Sequence, residues 1–105
     1  MSDANDLVEH VRKALRTVID PEIGFNILDI GLVYDIAIED GGIAKIIMTT
    51  TTRGCPATDY LRDGACEAAQ AVDGVHRADV RLTYDPPWTP DMMSPVAKDY
   101  LGIGR

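Results

Sequence analysis

The feature that most constrains this chain is the pair of alternating stretches that meet at Asp40-Gly41-Gly42. Tyr34, Ile36 and Ile38 alternate with Asp35, Ala37 and Glu39, the period of two that marks a half-buried strand. Asp-Gly-Gly is hairpin chemistry, because the tight turn needs positive φ. The returning strand, Ile43 to Thr50, puts Ala44, Ile46 and Met48 on one face and Ile43, Lys45 and Ile47 on the other. A lone hairpin is marginal in water, so the rest of the chain must supply a further strand or a covering layer.

It supplies both. Leu7, Val11, Leu15 and Val18 step by four, four and three, which predicts an amphipathic helix from Asp6 to Ile19 with Asp3 or Asn5 as its cap. Pro21 forces Asp20 out of helical geometry, so Asp20-Pro21-Glu22-Ile23-Gly24 reads as a loop. Asn26 to Leu32 is apolar but irregular and reads as a packed connector. A second helix is predicted from Pro56 to Val72, with Ala57, Leu61, Gly64, Ala65, Ala68 and Val72 on its buried stripe and Gly74 after its end. Ala78, Val80, Leu82 and Tyr84 then alternate with Arg77, Asp79, Arg81 and Thr83, a third strand with one wet face. Three prolines keep Asp85 to Pro90 irregular. Ser94 and Pro95 start a last short helix that Gly102 ends. The expected fold is α/β (α+β), a two-layer sandwich. Its small mixed three-stranded sheet carries helices on one face, in the order α-β-β-α-β-α, with the last helix short.

At 105 residues, one domain spanning residues 1–105 is expected. A net charge of −7 repels phosphate backbones and anionic lipid, which argues against nucleic-acid and membrane-surface binding. No apolar run approaches the ~20 residues of a membrane span, and the N-terminal residues do not resemble a secretion signal. The expected location is the cytoplasm, which suits the two cysteines as free thiols. Cys55 and Cys66 are 11 positions apart; along a helix that separates them by ~16 Å, beyond disulfide reach.

Cys55 is the sharpest chemical candidate. It stands between a strand and a helix, with Gly54 before it and Pro56 as the expected first helical residue. There a sulfur can accept from backbone N–H groups and meet the positive end of the helix dipole, and Arg53 adds positive charge. Cysteine is also a small apolar residue that often packs in cores, and that reading stays open. Cys66 falls on the polar side of the predicted helix, either exposed or touching the C-terminal segment. His10 and His76 lack metal-ligand spacing. Asp20 and Glu22 could act as paired carboxylates, although Asp-Pro-Glu is more often a helix stop with solvated charges. The run Thr49 to Thr52 offers hydroxyls, yet threonine is also simply a good strand residue. Trp88 among prolines reads as a lid on a small core.

Asp20-Pro21-Glu22-Ile23-Gly24, Asp29-Ile30-Gly31-Leu32-Val33-Tyr34, Gly54-Cys55-Pro56 and Asp85-Pro86-Pro87-Trp88-Thr89-Pro90 occur in this order. Together they resemble the SufT/PaaD-like family, also called the MIP-eighteen family or domain of unknown function fifty-nine. The resemblance runs from about Leu7 to Gly102. It implies a non-catalytic factor that helps to assemble iron–sulfur clusters or deliver them to client apo-proteins, working beside other assembly proteins and able to self-associate. The family's motif cysteine falls on Cys55, which would touch iron or a cluster transiently, with no permanently bound cofactor. Asp20, Glu22, Thr52, Gly54 and Pro56 are the supporting loop and motif residues. PaaD-like members, which serve the maturation of an oxygenase for aromatic acyl-CoA, carry a cysteine-rich C-terminal extension. This chain has no cysteine after Cys66, so the resemblance favours the SufT-like branch. Arg53 and Met92 depart from the family pattern. The competing readings are a PaaD-like maturation subunit, a thiol enzyme using Cys55 as nucleophile, and a plain interaction module.

Overall fold

A computed structural model describes residues 4–52, 54 and 56–102 of the chain. Helix α1 (Ala4–Leu15) leads into a loop, then strands β1 (Val33–Glu39) and β2 (Ile43–Met48), helix α2 (Thr58–Gln70), strand β3 (Arg77–Leu82) and helix α3 (Pro95–Leu101). The sheet order is β1-β2-β3, with β1 antiparallel and β3 parallel to β2. This is the expected mixed sheet. The hairpin forms at Asp40-Gly41-Gly42, where Gly42 N–H bonds the Glu39 carbonyl and both glycines take positive φ.

One face of the sheet makes the core. Ala44, Ile46 and Met48 of β2 and Ala78 of β3 cluster with Val11 and Leu15 of α1 and with Leu61, Ala65 and Ala69 of α2. The other face carries Asp35, Ala37 and Glu39, then Ile43, Lys45 and Ile47, then Arg77, Asp79 and Arg81, all half-buried or exposed. The connector before β1 is packed as expected, with Ile27, Ile30 and Leu32 fully buried. Trp88 closes over it and donates its indole N–H to the Ile30 carbonyl at 2.7 Å, so the Trp88 segment is a lid. Ser94 caps α3 by accepting the Ala97 N–H at 3.2 Å, with Pro95 first in the helix and Gly102 after it.

Several element boundaries differ from the sequence reading. Helix α1 stops at Leu15, not Ile19, because the bonds beyond it tighten to three-residue spacing: Thr17 N–H bonds the Ala14 carbonyl at 3.1 Å and Val18 N–H bonds Leu15 at 3.1 Å. The Thr17 hydroxyl also donates to the Ala14 carbonyl at 2.7 Å. Val18 still reaches the core through this turn, while Ile19 is exposed and bridges to Asn26. Asn5 lies inside the helix rather than capping it, and Asp3 lies outside the described residues. The ladder of β2 ends at Met48 and that of β3 at Leu82, each two residues short of the expected end. Helix α2 begins at Thr58 and ends at Gln70, inside the predicted span Pro56 to Val72.

Among the described residues no helix is long and apolar enough to cross a membrane.

Candidate functional site

The candidate site is the segment that joins β2 to α2, beginning with two buried threonines. Thr49 N–H donates to the Leu32 carbonyl at 2.8 Å, continuing the β1 side of the sheet past the last ladder pair. Thr50 is 1% exposed, and its hydroxyl donates to the Thr52 carbonyl at 2.7 Å. The Thr50 oxygen lies 2.9 Å from the Tyr84 hydroxyl. A hydroxyl has one proton; since that of Thr50 goes to Thr52, Tyr84 is the donor to Thr50. The chain is thus tied down where it leaves the sheet, and Thr52 is exposed immediately beyond the tie.

Gly54 follows at φ 72° with open space around its α-carbon, and Pro56 is exposed in a turn. Pro56 is therefore not the first helical residue. The helix starts two positions later, after Ala57 at φ −87° and ψ 3°, a residue whose side chain offers no capping acceptor. Arg53 and Cys55 lie outside the described residues.

The carboxylates at 20 and 22 are not a pair. Asp20 is 1% exposed, and one of its oxygens accepts the backbone N–H groups of Glu22 at 2.7 Å and Ile23 at 3.3 Å. Its own N–H bonds the Phe25 carbonyl at 3.0 Å and its carbonyl takes the Gly24 N–H at 2.7 Å. Asp20 thus builds its loop from inside, whereas Glu22 is exposed. Solvated charge is the wrong description for Asp20, because these donors satisfy a buried carboxylate.

Cys66 is a half-buried free thiol, not an exposed one. Its sulfur lies 3.7 Å from the Ala78 carbonyl and 3.7 Å from the Gln70 side-chain oxygen, which itself accepts the Ala78 N–H at 3.3 Å. Cys66 belongs to the seam between α2 and β3. His10 and His76 are both exposed. Among the described residues no group of three His, Cys, Asp or Glu side chains could hold a metal ion.

The sequence reading passed over the Thr50–Tyr84 tie, although its signal was there. In the parallel register Ile46 meets Val80 and Met48 meets Leu82; two more residues along each chain bring Thr50 beside Tyr84. The substitution Tyr84→Phe removes the donor to Thr50, and urea unfolding is expected to show a loss of about 1 kcal/mol. No change in stability would mean that the tie does not hold the loop.

Residues 8–81 match a family model described as an iron–sulfur cluster assembly protein. The chain is 40% identical over 97 residues to the Fe-S protein maturation auxiliary factor YitW of Bacillus subtilis, covering 92% of this chain and 95% of that one. It is 38% identical over 86 residues to the Fe-S protein maturation auxiliary factor SufT of Staphylococcus aureus, covering 82% of this chain and 98% of that one. The crystal structure of a domain of unknown function from Bacillus anthracis superposes with a TM-score of 0.90 at 33% identity, over 96% of both chains.

Proposed function

The chain belongs to the iron–sulfur cluster assembly protein family, and from that membership we propose that it is a non-catalytic accessory factor in the maturation of client iron–sulfur proteins. The observation that carries the reading is near full-length similarity to two proteins named as Fe-S maturation auxiliary factors. In this reading it works in the cytoplasm beside other assembly proteins, meets client apo-proteins, and handles the cluster or iron as cargo through Cys55.

Coordination chemistry narrows the role. Clusters are generally held by four thiolates, and this chain has two cysteines. Cys66 is engaged in the α2–β3 seam, which leaves Cys55 as the thiol for cargo. One thiolate does not enclose a cluster. Transfer or adaptor work therefore fits better than a scaffold on which a cluster is built. A thiolate that contributes one bond can be displaced by the client's own thiols, which is what delivery needs.

The test is a deletion strain assayed for cluster occupancy of its iron–sulfur enzymes. Occupancy is expected to fall and to recover when the chain is restored. Full occupancy without the chain, under iron limitation as well as in rich medium, would overturn the reading.

A further inference from the structure

Strand β3 lies at one edge of the sheet, whose order is β1-β2-β3. Arg77 N–H bonds the Gly42 carbonyl at 3.4 Å and Thr83 N–H bonds the Met48 carbonyl at 2.9 Å. The odd-numbered residues of this stretch therefore turn toward β2. Backbone direction alternates along a strand, so Ala78, Val80 and Leu82 turn their N–H and C=O groups outward. These three positions are not alike. At Ala78 both groups are covered from α2: the N–H donates to the Gln70 side-chain oxygen at 3.3 Å, and the carbonyl lies 3.7 Å from the Cys66 sulfur. At Val80 and Leu82 no outward backbone group has a hydrogen-bond partner among the described residues.

An unpaired edge is a template for another strand. The β1 edge is interrupted by a register shift between Val33 and Asp35, whereas β3 runs in unbroken register. We propose that the outer edge of β3 from Val80 to Leu82 takes up an extended segment of a partner protein by strand addition, a segment in which apolar and acidic side chains alternate.

Each half of that pattern has its reason. Val80 and Leu82 are half-buried and packed against the core, so a strand laid beside them places apolar side chains on that side. Arg81 stands between them on the opposite face, with its side chain 64% exposed. Its Nε meets Asp79 at 3.3 Å, but the terminal nitrogens of the guanidinium remain as a fork for a carboxylate on the added strand. Opposite charges facing each other across strands stabilise the pairing. The same charge argues against a second copy as the occupant. Two β3 edges related by a two-fold axis would set Val80 on Leu82 and Arg81 on its own counterpart, like charge against like.

The edge is sealed at Ala78 and open toward Thr83 and Tyr84, the end where Tyr84 meets Thr50. In the assembly role proposed above, the added segment would belong to an apo-client, and that identification rests on the proposed function. The strand addition itself does not, and a peptide experiment reads it without cells or clusters.

The probe is an acetylated, amidated heptapeptide of alternating valine and glutamate, titrated from about 10 µM to 1 mM while amide hydrogen exchange of the labelled chain is followed by NMR. In the free chain the Val80 and Leu82 amides should exchange fast and those of Asp79 and Arg81 slowly. The probe should slow Val80 and Leu82 by roughly tenfold or more and leave Asp79 and Arg81 unchanged. Peptides methylated on all valine nitrogens or on all glutamate nitrogens should differ, one losing binding and the other keeping it, because only one set faces β3. Arg81→Glu, at an exposed position, should weaken the valine–glutamate probe by about tenfold and favour a valine–lysine one. Val80 and Leu82 amides already as protected as Asp79 and Arg81 in the free chain would overturn the proposal. So would a probe that leaves them unprotected at 1 mM, or binding that survives either methylation. Protection that appears in the chain alone as its concentration rises would mark a second copy as the occupant and overturn it too.

Discussion

Cells whose only copy of the chain carries Cys55→Ala are expected to lose client cluster occupancy as completely as the deletion, whereas Cys66→Ala cells keep it. The reason lies in what surrounds each thiol. Thr52, Gly54 and Pro56, which flank position 55, are all exposed, and an added Cβ on Gly54 would meet nothing within 4 Å. A thiol that serves the cargo leaves no cavity in the core when it is removed, so the purified Cys55→Ala protein should melt within a degree or two of the parent. Cys66 sits against Ala78 and Gln70, and its truncation should cost stability without touching the cargo. If Cys55 instead packed in the core, its loss would lower stability by about 1–3 kcal/mol, and any cellular defect would track that loss. Complementation assays paired with thermal melts separate these cases. A Cys55→Ala protein that melts like the parent and restores occupancy would remove the thiol from the mechanism.

How much of this was readable from the residues depends on how local each determinant is. The hairpin was legible because Gly41 and Gly42 carry the positive φ that its turn requires. Helix α3 was legible because its cap, its first-turn proline and its terminal glycine are all near neighbours in sequence. The end of α1 was misread because Val18 keeps helical spacing while reaching the core by a tighter turn; burial continues after the helix has stopped. The start of α2 was misread because proline suits a first helical turn and a preceding turn equally well. Asp20 looked solvated beside Pro21, and its burial becomes visible only when Phe25 returns its carbonyl to the Asp20 N–H. Cys66 lies on the polar flank of a helical wheel, yet β3 lies along that flank. Thr50 and Tyr84 are 34 residues apart, and only the parallel register unites them. Local turn and cap chemistry was therefore readable, while side-chain roles within the loops waited on packing.

Gly31→Ala is expected to be the most destabilising single-methyl change on the chain. Gly31 stands at φ 84° between Ile30 and Leu32, both fully buried. Any L-residue there bears the strain of the left-handed region, roughly 1–2 kcal/mol. The added carbon would also overlap the Met92 carbonyl oxygen and come within 2.9 Å of the Met92 carbonyl carbon. Those are backbone atoms, and they cannot swing aside as the tip of a long side chain would. Overpacking of this kind costs a further ~1–3 kcal/mol. The shift would propagate, because Met92 leads directly into the buried Met93 and its sulfur lies 3.5 Å from the Tyr34 hydroxyl. A total of about 3 kcal/mol should lower the melting temperature by roughly 12–24 °C in a domain this small. Gly24→Ala is the matched control: its φ is 81°, and nothing lies within 4 Å of the new carbon, so it carries the strain without the overlap. Urea unfolding of the two variants isolates the cost of the close approach between Gly31 and Met92. Equal losses in both would show that the C-terminal segment does not press on the Gly31 backbone, and that the lid formed by Trp88 and Met92 is looser than its contacts imply.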